Sequence, residues 1–126
     1  MSNQTKDIVF DLGLSEQEGQ PPALKFLGVV LSQMLRDSAE RVEFSLEDSV
    51  PEARFQIWCS IKGQPYSMMP PPRHLFEPVV VALCNYASVP YYAKQSVQGR
   101  IETTNPASSW LLQSDDLQKR VVLSKT

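Results

Sequence analysis

From residue 22 onward, apolar side chains recur at three- and four-residue steps: Leu24, Leu27, Val30, Leu31, Met34 and Leu35. This spacing puts them on one face of a helix, with Lys25, Gln33, Arg36 and Asp37 largely on the other. Pro22 stands near the start, where a proline loses no hydrogen bond and presets φ. The pattern predicts an amphipathic helix over 22–38. The period then changes to two. Val42, Phe44 and Leu46 alternate with Arg41, Glu43 and Ser45, and Phe55, Ile57, Cys59 and Ile61 alternate with Gln56, Trp58 and Ser60. Each set is the signature of a half-buried strand. Lys62-Gly63-Gln64 turns the chain into a third strand over 65–69, so the three strands read as an antiparallel meander.

The run over 75–89 admits two readings. Three consecutive valines favour a strand, whereas Leu75, Val79, Ala82, Leu83 and Tyr86 form a helical stripe. Pro78 suits the first turn of a helix and not a central strand, which predicts a helix over 77–87 closed off by Pro90. A strand near 100–103, a turn at "NPASS" and a terminal hairpin around "SDDLQ" follow. Residues 1–20 are polar apart from Ile8-Val9-Phe10 and read as an extension that adds one edge strand at most. Residues 21–126 read as a single domain of α+β class.

Composition narrows the classes of function. The chain has 126 residues, 42% of them apolar, with mean hydropathy −0.24, the balance of one water-soluble domain. Its longest apolar run, near 79–84, is too short to span a bilayer, and the N-terminus lacks the basic and apolar regions of a secretory signal. No membrane insertion is therefore expected, and a cytoplasmic location is. A formal charge of −2 with pI near 5.3 gives no footprint for nucleic acid. Cys59 and Cys84 form no CxxC and have no histidine at metal spacing, so reduced, buried thiols are expected.

Few residues invite chemistry. His74 is the one histidine and the natural acid or base near neutrality, but no Ser, Cys or carboxylate stands at a motif spacing from it. The five glycines are isolated, so neither phosphate-binding loop is present. Glu47-Asp48 and Asp115-Asp116 read as solvated turns, because no calcium-spaced ligand set surrounds them. The triple proline at 70–72 lacks the PxxP or PPxY pattern of an SH3 or WW ligand. No enzyme, cofactor or metal is expected.

The order of elements and the segment "SIKGQPYSMMPPPRHLFEPVVVALCNYASVPYYAKQSVQGRI" resemble the PAS-like N-terminal (N2) domain of type II secretion and type IV pilus assembly ATPases. In that family a helix precedes a Ser-Asp-Ile-His-Ile-Glu strand, and a strand ending Arg-x-Arg-Ile-Asp-Gly turns into a short strand. A Met-x-Pro-Pro-Pro connector, a helix with Arg-Ile-Lys, and Gln-Asp-Gly-Arg follow. The match covers 22–101 and is best over 63–78. Gln98-Gly99-Arg100 repeats the last motif without its Asp. The polar positions depart: Glu40-Arg41-Val42-Glu43 replaces Ser-Asp-Ile-His, Trp58-Cys59-Ser60-Ile61-Lys62-Gly63 replaces the arginine-rich strand end, and Ala82-Leu83-Cys84 replaces Arg-Ile-Lys.

The resemblance implies a PAS-like antiparallel sheet with two helices packed on it, in a free-standing domain without the ATPase motor and its Walker motifs. It implies a non-catalytic interaction or regulatory module whose partner is a secretion or pilus assembly ATPase, with self-association as another use of the same surface. Arg73, His74, Gln98 and Arg100 are the candidate interaction residues. Two alternatives stand beside it. One is a PAS-like small-ligand sensor with a pocket between helix and sheet lined by Phe44, Trp58, Tyr66, Met68 and Tyr86; the other is a degenerate remnant with no separate role.

Overall fold

A computed structural model describes residues 7–9, 22–47, 54–68, 70–104 and 107–126. The first helix, α1 (Pro22–Arg36), buries Ala23, Leu27, Val30, Leu31 and Met34. It ends in a Schellman motif: Ala39 N–H donates to the Met34 carbonyl at 2.8 Å and Ser38 N–H to that of Leu35 at 3.2 Å. Ser38 itself takes the left-handed conformation that this termination requires. The chain then enters β2 (Arg41–Glu47), β3 (Arg54–Ile61) and β4 (Gln64–Ser67), the antiparallel meander read from the period-2 segments. Between β3 and β4, Lys62 and Gly63 both have positive φ, at 52° and 79°. This is the backbone of a two-residue type I′ turn, whose twist suits a hairpin. The Glu40 carboxylate accepts the Gly63 N–H at 3.2 Å and pins the turn.

The proline connector carries the chain to a short 3₁₀ turn, Arg73–Leu75, and directly into α2 (Phe76–Ala87). The 75–89 run is thus helical over almost the predicted span. Pro78 falls in its first turn, and Val79, Val80, Leu83 and Cys84 are buried. A second Schellman motif closes α2: Val89 N–H donates to the Cys84 carbonyl at 3.0 Å and Ser88 N–H to that of Asn85 at 3.4 Å, with Ser88 left-handed. Three strands complete the chain: β5 (Val97–Thr104), β6 (Ser108–Asp116) and β7 (Arg120–Lys125).

All strands join one sheet in the order β1-β5-β6-β7-β2-β3-β4, where β1 is Asp7–Val9. The pairing of β1 with β5 is parallel, and every other pairing is antiparallel. The class is therefore α+β, and the apolar island at 8–10 does supply an edge strand, over 7–9.

Both helices pack on one face of the sheet. Phe44, Phe55, Ile57, Ile101, Trp110, Leu112, Val121 and Leu123 meet Leu27, Leu31, Val79 and Leu83 in one continuous core. Phe55 lies at its centre, in ring contact with Phe26 of α1, Phe44 of β2 and Phe76 of α2 at centroid distances of 6.0, 6.4 and 5.3 Å. Among the described residues Ser109 Oγ is the one buried side-chain oxygen or nitrogen without a hydrogen-bond partner; the others are bonded. The Trp110 indole donates to Ser108 Oγ at 2.9 Å, Ser108 Oγ bonds Thr103 Oγ1, and Ser114 Oγ donates to the Arg120 carbonyl, as interior polar atoms require.

Candidate functional site: the open face of the sheet

With both helices on one side, the opposite face of the sheet has no covering layer among the described residues. Strand alternation decides which side chains it carries. Val42 and Phe44 are buried, so Arg41, Glu43 and Ser45 point the other way; Phe55, Ile57 and Cys59 are buried, so Arg54, Gln56, Trp58 and Ser60 do too. The pairing register aligns one row across the face as Gln98, Gln113, Val122, Glu43, Trp58 and Ser67. The adjacent row runs Arg100, Leu111, Ser124, Arg41, Ser60 and Pro65.

Trp58 is 42% exposed, yet its ring is not loose. Its indole N–H donates to Gln56 Oε1 at 3.2 Å, and Gln56 Nε2 donates to Glu47 Oε2 at 2.6 Å. Such a chain of bonds orients the ring before anything binds. Beside it, Glu43 accepts from Arg120 Nη2 at 2.9 Å and lies 3.8 Å from Arg41 Nη2. Two guanidiniums therefore share one carboxylate. These pairs are solvent-exposed and add little to stability; they set an arginine–carboxylate cluster next to an aromatic platform.

The sequence-derived candidates separate in space. Gln98 and Arg100 lie on the open face of β5, where Gln113 Nε2 reaches Gln98 Oε1 at 3.5 Å. Arg73 and His74 are exposed on the 3₁₀ turn, which packs beside β3 across three intervening strands from β5. The four do not form one patch, because sequence proximity to a motif carries no information about sheet order. The proposed ligand pocket does not assemble either. Phe44 is fully buried, Trp58 is on the opposite face, Tyr66 is exposed on β4, and Met68 and Tyr86 are half-buried in different elements. Tyr86 instead joins Leu24, Pro78, Val81, Ala82 and Glu77 along a groove of about 490 Å³ on the outer side of the two helices.

Gly99 gives the Gln98-Gly99-Arg100 motif a packing role. A side chain there would point inward, where its Cβ would stand 2.7 Å from the Ala87 carbonyl oxygen and 2.9 Å from Val89 Cγ1. The glycine admits the end of α2 to the sheet, while its neighbours face outward. Arg41, Arg54 and Arg120 were not singled out by the resemblance. Their shared strand phase with Trp58 was nonetheless readable in the alternation.

The thiols point away from chemistry. Both are buried and free; burial pushes Cys84 up to about 11, and burial together with the Asp37 charge raises Cys59. A nucleophilic cysteine needs the opposite shift. Both thiols should resist iodoacetamide in the native protein and react at once in denaturant, as mass spectrometry would read. Because the folded pKa of Cys84 is raised, the unfolded chain loses its proton first, so stability should fall as pH rises from 9.0 towards about 11. Tyr91 is likewise raised, first by burial and then by the nearby Glu77 charge. The acidic pair Asp115-Asp116 serves local structure: Asp115 accepts from Ser96 Oγ and Asp116 from the Gln118 N–H. Asp48 of the other pair lies outside the described residues. Among the described residues no group of three His, Cys, Asp or Glu is placed to hold a metal, and no helix is long and apolar enough to cross a membrane.

Fold and surface together define a two-layer α+β domain with helices on one side and an arginine- and tryptophan-bearing sheet face on the other. No family model matches the chain, and no curated protein matches it.

Proposed function

We propose that this chain is a non-catalytic protein-interaction domain that docks through the open face of its sheet. The observation that carries the reading is the oriented, half-exposed Trp58 beside Arg41 and Arg120. Tryptophan and arginine are the residues on which binding energy concentrates at protein interfaces. The reading takes the fold as PAS-like, akin to the N2 domain of secretion and pilus assembly ATPases. Its support is the element order: helix, two strands, a short strand, the proline connector, a helix, then the strand with Gln98-Gly99-Arg100. On this reading the partner is such an assembly ATPase, met in the cytoplasm, and the domain regulates or tethers it without turning over nucleotide.

The test is capture of a purified type II secretion or type IV pilus assembly ATPase on immobilised domain, alongside a hydrolysis assay of the domain alone. Retention of the ATPase, with no ATP turnover by the domain above background, is the expected result. ATP hydrolysis by the isolated domain would sink the non-catalytic reading, and failure to retain any assembly ATPase would remove the named partner.

A further inference from the structure

The basic residues of the open face are unusual in kind. Among the described residues, all four strand positions there that carry a cation, 41, 54, 100 and 120, hold arginine and none holds lysine. A surface that needs only solubility has no reason to choose between them. Arginine is the less hydrated cation and presents a planar fork that matches a carboxylate. Around Trp58, Arg41 and Arg120 share the carboxylate of Glu43, while the Glu47 carboxylate is held by Gln56. At the far end of the row that holds Arg41, the Arg100 side chain has no hydrogen bond or ion pair with any described residue.

The β4 edge of the sheet is not the better docking route. Met68 N–H donates to the Ile57 carbonyl, so by strand alternation the backbone N–H groups of residues 64 and 66 also face β3. Positions 65 and 67 face outward. Pro65 has no N–H to offer there, which blunts β4 against strand addition.

Resting on the interface reading above, we propose that this face binds an acidic, extended segment of a partner protein. An apolar side chain of that segment stacks on Trp58, and its carboxylates pair with Arg41 and Arg100. From β3 to β5 is four strand spacings, about 19 Å at about 4.8 Å each, which roughly six extended residues cover. Nucleic acid fits less well. Glu43, Glu47 and Glu102 stand among the arginines and would repel a continuous phosphate chain, whereas a protein segment can set its carboxylates opposite the arginines alone.

The probes are short synthetic peptides with a leucine at one end and alternating glutamate, a counterpart with lysine for glutamate, and an oligothymidylate. The readout is tryptophan fluorescence, in which Trp58 reports and the buried Trp110 serves as internal reference. The glutamate peptide is expected to bind about tenfold more tightly than the lysine peptide and to weaken with salt. Arg41→Glu with Arg100→Glu should reverse that preference. Both side chains are exposed, so the thermal midpoint should stay near that of the parent. Equal binding of the two peptides, an unreversed preference, or tighter binding of the oligonucleotide overturns the acidic-segment inference. None of these touches the interface reading, which fails separately if Trp58→Ala leaves ATPase capture intact.

Discussion

Replacing Phe55 by alanine should remove about 4 kcal/mol of stability, read as a lower urea midpoint at unchanged slope. The ring is 1% exposed and touches aromatic rings from α1, β2 and α2. Its loss therefore opens a cavity where the sheet meets both helices, and neither helix can close that cavity without leaving its other contacts. Domains of this size have roughly 5–15 kcal/mol in total, so the variant should be marginal at room temperature. Phe55→Leu, which refills most of the space, should lose clearly less. A loss below about 1 kcal/mol for the alanine variant would mean that the three rings do not meet as described.

The second large effect is expected at Gly99, by overpacking. An added Cβ would lie 2.7 Å from the Ala87 carbonyl oxygen and 2.9 Å from both Ala87 Cβ and Val89 Cγ1. The first of these neighbours is backbone and cannot rotate away. Gly99→Ala should cost about 2 kcal/mol, and Gly99→Val should cost more and shift the end of α2. Combining Gly99→Ala with Val89→Ala should recover only part of the loss, since the Ala87 carbonyl remains. Calorimetry on the four chains of that cycle checks it, and full recovery would contradict the backbone clash.

Gly99 also shows why part of the fold was legible and part was not. The sequence pattern starts the strand at Arg100, because the inward position 99 offers no hydrophobe. In the structure β5 begins at Val97, and the missing side chain is replaced by the end of α2 itself. Elsewhere the local signals agreed with one another. Helix period and Pro22 delimit α1 to within two residues, and strict alternation delimits β2 and β3. The strand order was out of reach. Placing β7 between β6 and β2 joins residues as distant as Arg120 and Glu43, a choice made by the shared core and not by any local motif.

The site follows the same division. Alternation alone puts Trp58 and Arg41 in one phase of their strands, but only the register makes Glu43 the neighbour of both Trp58 and Val122, and so brings Arg120 to it. The resemblance pointed to Arg73 and His74 through a connector. In the structure that connector leads into α2 on the helix side, away from the exposed face.

The central claim is that Trp58 anchors an interface. It is most directly tested by comparing capture of the assembly ATPase on immobilised wild-type, Trp58→Ala and Tyr92→Ala domains. Tyr92 is the control, 82% exposed but in the loop after α2. The account predicts that Trp58→Ala weakens capture at least about tenfold, a loss typical of an anchoring tryptophan, while Tyr92→Ala leaves it unchanged. Capture that survives Trp58→Ala would contradict it, whatever Tyr92→Ala does.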